Sequence, residues 1–522
     1  MRNMKSHLML LTAFALILAG CGSAERPPEA TPSTQTTAAT AEPSGGPRAD
    51  SGRRIASPDS RLNEDGTSVI TSVDFGNVEV DGYVAPARGT LITPTMTHGP
   101  VPLIVVNHLR APNCSDGTYA WPCPEGTEEI RFDGGMEYLG ENLAREGYAT
   151  LIPDLTPLWV SEDVSDPYSQ TDLAYQIVGA LHSPLGSDVQ GASQFYGMDL
   201  EGVIDVESVG IIAHSLAALT VPSTIEIFDP DHVFSVLEYG AEADLEGAFD
   251  PPASDIATLF VSGDEDGVVG NASNLWLAER IQEPRTTALV SMQVPGYGNM
   301  FINRELQSPE VDDREACAEA ECPSAADHEA LLAAVATDWF NATIFGAETD
   351  IPLDAHDPIP QQCAGMDVRW LVATHGRDVT AVPLTSFSAV DGHEAELCRH
   401  AADPGQPACP EPEEGTITTT SELLHLTGAS ADVEIENPLQ LAVHVLPFSG
   451  SASQLTVTLH LAGGKTHTVT FDTALASSNG EYLTIRTPLP LEVRYETIVG
   501  VELESGSQPV EVRGVEFLHA ED

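Results

Sequence analysis

The stretch Val209-Gly210-Ile211-Ile212-Ala213-His214-Ser215-Leu216-Ala217-Ala218-Leu219-Thr220 decides how the rest of the chain is read. Val209 to Ala213 is a continuous apolar run, the pattern of a strand buried on both faces, and the residues after Ser215 are mostly helix formers. The stretch therefore reads as strand, sharp turn and helix, with a serine on the turn. There a hydroxyl projects from the carboxyl edge of a parallel sheet, and the next backbone N–H points toward a bound carbonyl. Strand and helix come close at such a turn, so small residues are needed on both sides of the serine. Ala213 and Ala217 stand at those positions.

Upstream, Asn77 to Pro86 and Gly89 to Pro94 alternate apolar and polar residues as two antiparallel strands do. Val101 to Asn107 is a second buried-strand run, followed at once by His108 and Leu109. From Gly135 to Tyr148 the apolar side chains Met136, Leu139 and Leu143 share one helical face, Gly147 stops the helix, and Ala149 to Pro153 is the next strand. That is a strand–helix–strand unit. Asp166 to Leu181 is helix-like and Ser183 to Asp199 is a polar loop. Downstream, the helix after Ser215 runs to about Phe228, and Val233 to Tyr239 and Ala257 to Ser262 read as further parallel strands. Ala272 to Ile281 is helical, Thr286 to Val294 is a strand, and Ala326 to Phe345 is a long amphipathic helix.

This order resembles that of the α/β-hydrolases. Pro102 to Leu155 is similar to the N-terminal half of secreted members of the esterase, lipase and polyester-hydrolase type, and Val209 to Thr220 resembles their nucleophile elbow G-x-S-x-G, with alanine for both glycines. The resemblance implies an α/β fold with a mostly parallel sheet, Ser215 as nucleophile, and the backbone N–H groups of Leu216 and Leu109 as oxyanion donors. Leu109 stands where glycine is common, and His108 reads as a brace for that loop. Gly263-Asp264-Glu265-Asp266-Gly267-Val268-Val269 matches the family pattern G-x-x-D-x-x-V, with Asp266 as the triad acid and Asp264 in reserve. Pro295 to Asn303 resembles the loop G-x-x-H-x-F-x-N but carries Asn299 at the histidine position. Asparagine takes no proton from serine near neutral pH. The next histidine along the chain is His328, which can act as base only if the loop from Gln307 to Ala325 lies over the site; otherwise it is a helix-start histidine beside Asp327.

At the other end, Arg2 and Lys5 precede the apolar run Leu8 to Leu18, and Leu18-Ala19-Gly20-Cys21 follows. This resembles a bacterial lipoprotein signal with its lipobox, so residues 1–21 are expected to direct export and Cys21 to carry the lipid. Residues 22–60, rich in Pro, Ser, Thr, Ala and Gly, hold too few large apolar side chains to fold and read as a flexible tether. The expected location is a bacterial cell envelope, at the outer membrane or the periplasmic face, with the membrane met only through the anchor. Among the 8 cysteines, Cys114 and Cys123, Cys317 and Cys322, and Cys398 and Cys409 suit local disulfides, leaving Cys363 odd; other pairings among the last three stay open. No spacing suits zinc, and no metal or cofactor is expected. The 79 acidic against 22 basic residues give a net charge of −57. Such a surface repels phosphate backbones, which argues against a nucleic-acid partner, and reads as a solvated exterior.

The hydrolase-like part is expected over 61–346 and a Pro- and Asp-rich linker over 347–365. In 366–522 the periodicity changes to short alternating strands at Gly415–Thr420, Ala431–Ile435, Ala442–Pro447, Gln454–Leu461, His467–Phe471, Tyr482–Arg486, Leu491–Tyr495, Val499–Glu504 and Pro509–Phe517. Their spacing predicts an all-β antiparallel sandwich, jelly-roll-like. The closing strands, Ile498 to Gly506 and Val510 to Phe517, resemble those of galactose-binding-like modules, which implies either a glycan ligand or a purely structural companion. The expected function is a lipid-anchored carboxylic-ester hydrolase acting on a small-molecule or polymer ester. The alternative, to which Ala213, Ala217 and Asn299 point, is a catalytically impaired hydrolase fold serving as a surface glycan- or polymer-binding lipoprotein.

Overall fold

A computed structural model describes residues 59–80, 83–159, 193, 196–241, 256–267, 269–283, 285–306, 322–354, 356–373, 378–398, 422–447, 454–472, 480–506 and 508–520. All of them belong to one compact unit, Gly46–Asp522. Cys21, residues 22–58 of the expected tether, the segment 166–181 and the strand expected at 415–420 lie outside the described residues, while residues 59 and 60, expected to end the tether, pair with 71 and 72 in a strand.

The first sheet has ten strands: β1 (Asp59–Leu62), β2 (Ser68–Val80), β3 (Tyr83–Pro94), β4 (Val101–Asn107), β5 (Ala149–Pro153), β6 (Ile204–His214), β7 (Val233–Tyr239), β8 (Ala257–Gly263), β9 (Leu289–Val294) and, after a two-residue hairpin of β10 (Gln362–Cys363) and β11 (Met366–Asp367), β12 (Arg369–Ala373). Their spatial order is β1-β2-β3-β5-β4-β6-β7-β8-β9-β12. From β5 to β9 neighbours are parallel, while β1 to β3 at one edge and β12 at the other are antiparallel. Crossing β4 and β5 and then adding β6 to β9 in sequence is the strand order of the α/β-hydrolase fold, so the expected fold class holds for this part.

Side-chain alternation explains the layers. On β4, Ile104 and Val106 face one side with Ile212, Leu237 and Leu259, against the helices α1 (Glu137–Arg145) and α4 (Ala325–Phe345). Leu103 and Val105 face the other side with Val209, Ile211 and Val236, against α2 (Val221–Phe228). A period of two on strands buried on both faces puts neighbouring residues into opposite cores. α4 starts on a reciprocal Ser324–Asp327 capping box and ends at Gly346, whose φ of +66° suits glycine. A shorter helix, α3 (Ala272–Glu279), packs on β8, β9 and β12.

The chain then forms two antiparallel sheets. One contains β13 (Val379–Ala381), β15 (Ala395–Cys398), β16 (Leu423–Leu426), β18 (Gln440–Pro447), β21 (Leu483–Pro488) and β23 (Val510–Leu518). The other contains β14 (Ser388–Ala389), β17 (Gly428–Ile435), β19 (Gln454–Leu461), β20 (Thr466–Asp472) and β22 (Ile498–Ser505). A single apolar core, including Leu441, Val443, Leu455, Val457, Val501 and Val515, lies between them.

Several expectations change. Val80 pairs with Tyr83 where β2 and β3 run antiparallel, so the single strand expected over 77–86 is divided between two paired strands. Leu491–Arg494 is a short helix, α5, not a strand, because Pro488 and Pro490 break the ladder just before it. The boundary expected at 365 falls too early: Arg369–Ala373 pairs along β9 as the tenth strand of the first sheet. Cys114–Cys123 is a disulfide, and Cys322 and Cys398 are each disulfide-bonded to partners outside the described residues. Cys363 is a free, buried thiol.

Candidate active site

The parallel strands end at one edge, where Leu109, Ser215 and the loops of Asp266 and Asn299 follow β4, β6, β8 and β9. β6 stops at His214 in an extended conformation, and Ser215 follows with φ of +57°, at the start of the 3-10 turn Ser215–Thr220 that leads into α2. A left-handed backbone at a residue with a Cβ costs roughly 1–2 kcal/mol, and such strain collects at functional sites. Here it reverses the chain within one residue, as an elbow requires. Ser215 is 4% exposed.

β4 is fixed beside the elbow. Asn107 pairs with Ala213 in register, and its Nδ2 donates to Thr220 Oγ1 at 2.8 Å and Thr224 Oγ1 at 3.2 Å. Two residues past that pair, Leu109 and Ser215 leave neighbouring strands at the same level. The Leu109 N–H has no acceptor among the described residues. Leu216, second in its turn, has none available within the helix. His108 holds the loop as expected of a brace: Nε2 accepts from Leu155 N at 2.8 Å and Nδ1 donates to Leu109 O at 3.0 Å. Beside it the buried Asp154 accepts from Arg88 Nε at 2.8 Å.

Asn299, which stands in the loop after β9 where the resemblance led to the expectation of a histidine, has its amide already engaged. Oδ1 accepts from His214 Nε2 at 2.9 Å, the Asn299 carbonyl accepts from the same nitrogen at 3.1 Å, and Nδ2 donates to Gly240 O at 3.2 Å. Two acceptors on Nε2 make it the protonated nitrogen and leave Nδ1 bare. That nitrogen is buried with no partner among the described residues. Burial drives the His214 imidazole down to about 4, against the hydrogen bonds it donates to Asn299, so the ring is neutral at pH 7.

His328 is not brought to Ser215. Its Nε2 accepts from Gly298 N at 2.9 Å and its Nδ1 donates to Ser324 O at 2.9 Å, with the rings of Tyr297 and Phe301 within 4.6 and 4.9 Å. A lone pair held by a backbone N–H takes no proton from serine; residues 307–321 of the loop on which the base role depends lie outside the described residues. It is the helix-start reading that fits.

Asp266 is 4% exposed and accepts from Val269 N at 2.8 Å. Its loop is tied to the Asn299 loop by Glu265 N to Tyr297 O at 2.9 Å. Asp264, the reserve, is ion-paired with Arg369 of β12. Sequence reasoning missed Glu238, which lies on β7 opposite Ala213, is 4% exposed, and has its carboxyl pushed up to about 8 by burial. It also missed His214 as a partner of Asn299. Neither has a spacing signal, because both sit inside strand patterns. Among the described residues, no three His, Cys, Asp or Glu side chains could hold a metal ion, and no helix is long and apolar enough to cross a membrane.

No protein-family model matches the chain, and no curated protein sequence does. Among solved structures, a CIB-like hydrolase from Thermoplasma acidophilum is similar at 16% identity and a TM-score of 0.26, over 51% of this chain and 98% of that one. A dienelactone hydrolase-like promiscuous phosphotriesterase from metagenomic libraries is similar at 13% identity and a TM-score of 0.32, over 53% and 99%. Likeness of that degree adds nothing to the strand order, on which the fold assignment rests.

Proposed function

We propose that the chain is a serine-dependent hydrolase of carboxylic esters, small or polymeric, held at a bacterial cell envelope by a lipid on Cys21. The reading is carried by Ser215, a non-glycine residue at φ of +57° on the carboxyl edge of the sheet, beside two backbone donors. Ser215 attacks the ester carbonyl, Leu109 and Leu216 N–H stabilise the oxyanion, and Asp266 is the acid of the set. With Asn299 at the family's histidine position and His328 held by backbone, acylation is expected to be slow. Losing the histidine base of a triad costs roughly 10⁶ in rate, while the oxyanion hole and binding still leave roughly 10³ to 10⁴ over water.

Asn299 favours one other reading, a hydrolase fold that binds a glycan or polymer at the cell surface without turnover. A fluorophosphonate probe separates the two, since a serine flanked by oxyanion donors reacts above background, slowly where no base assists it. The parent is expected to be labelled at Ser215 and Ser215→Ala not at all. Equal background labelling and equal ester hydrolysis in both would leave the binding protein.

Anchoring is tested separately. Cys21→Ala is expected to move the protein from the membrane fraction to the soluble fraction, because a cleaved lipoprotein signal leaves the lipid as its only hold. A variant still membrane-bound after a salt wash would remove the anchor.

A further inference from the structure

Just before β21 the second domain meets the first through the tripeptide Gly480-Glu481-Tyr482. Asn271 Nδ2 donates to Gly480 O at 3.1 Å, Asn274 Nδ2 to Tyr482 O at 3.0 Å and Gln293 Nε2 to Tyr482 O at 2.8 Å, while Tyr482 N donates to Asn274 Oδ1 at 2.8 Å. Glu481 is 1% exposed, and its Oε1 accepts from Ser262 Oγ at 3.0 Å at the end of β8. Its Oε2 lies 3.6 Å from Arg369, the same guanidinium that pairs with Asp264. One cation of β12 is thus shared between a carboxylate of the sandwich and the first carboxylate of the loop that carries Asp266. A buried ion pair of this kind is weak evidence for stability and better suited to fixing a geometry.

We propose that Arg369 and Glu481 are positioning residues for the acid loop, so that the β-sandwich is part of the catalytic scaffold and not only an appended ligand-binding module. This rests on the reading of Ser215 as nucleophile. On the far side the loop is held by Asp266 N to Gly263 O and Glu265 N to Tyr297 O. The Arg369–Asp264 contact holds the near side, two residues from Asp266. The charge balance there also has a sign. Without Arg369, Asp264 adds an unneutralised negative charge beside Asp266, which raises the pKa of the Asp266 carboxyl on which labelling depends; without the Glu481 charge, Arg369 lowers it.

The test uses the full chain with Arg369→Met, Arg369→Lys and the isosteric Glu481→Gln. The readouts are the second-order rate of fluorophosphonate labelling, its pH profile, and the thermal midpoint. Arg369→Met is expected to lose on the order of tenfold to a hundredfold in rate, as misplacement of a supporting group does, with its pH profile moved upward. Arg369→Lys should recover most of that rate, and the Glu481→Gln profile should move downward. Lower midpoints with an unshifted profile in both charge variants would mean a merely structural contact and overturn the proposal. Labelling that all three variants keep at the parent's rate and profile would overturn it while leaving the Ser215 reading intact. A parent that does not label at Ser215 would remove both.

Discussion

Replacing Gly263 with alanine is expected to destabilise the protein by about 3–5 kcal/mol and to slow labelling of Ser215 more than tenfold. Gly263 closes β8 under the loop that follows β9. A Cβ added there lies 2.0 Å from Tyr297 O and 2.5 Å from Tyr297 C. Both are backbone atoms, so no rotamer relieves the clash and the loop must move. Moving it breaks Glu265 N to Tyr297 O, loosens Gly298 N on His328, and draws Asn299 from His214. Overpacking costs about 1–3 kcal/mol, and each buried polar group left unpaired adds about as much. Gly296→Ala, in the same loop, is the control: φ is +78° but nothing lies within 4 Å, so only the left-handed penalty of roughly 1–2 kcal/mol applies. Urea unfolding of both variants against the parent checks the contrast, and equal small losses would show that the two loops are not in the contact described.

The strands that carry the site were legible because each is a short apolar run between turn residues: Val101–Asn107, Val233–Tyr239 and Gln454–Leu461 have the bounds that their sequence pattern suggests. Ser215 was legible because a buried strand that ends on serine and turns into helix formers has few other uses. Arg369–Ala373 was not, since an edge strand of five residues after a Pro-rich segment looks the same whether it joins the preceding sheet or starts the next. His328 shows the limit more sharply. Its position at a helix start was readable, but the direction of its ring depends on Gly298, some thirty residues back in the chain, through a backbone hydrogen bond that no side-chain pattern encodes. The engagement of Asn299 with His214 is likewise a tertiary contact, between residues 85 apart.

The pH dependence of stability follows from two of those buried groups, and they act in opposite directions. His214 titrates near 6.5 when unfolded and about 4 when folded, so below pH 6.5 the unfolded chain takes up a proton that the native state refuses, and stability falls as pH falls toward 4. Glu238 titrates near 4.5 when unfolded and about 8 when folded, so above pH 4.5 the unfolded chain releases a proton that the native state keeps, and stability falls as pH rises toward 8. Between pH 4.5 and 6.5 the two slopes cancel. From 6.5 to 8 only Glu238 acts, and at about 1.4 kcal/mol per pH unit the loss is about 2 kcal/mol. Glu238→Gln should remove that contribution, so that the variant gains about 2 kcal/mol on the parent between pH 6.5 and 8. Urea midpoints of parent and variant at pH 5, 6.5 and 8 measure both limbs, and because every other titrating group is common to the two chains, their difference isolates Glu238. A difference that does not change between pH 6.5 and 8 would mean that Glu238 is ionised in the folded protein and has a cationic or hydrogen-bonding partner at the elbow.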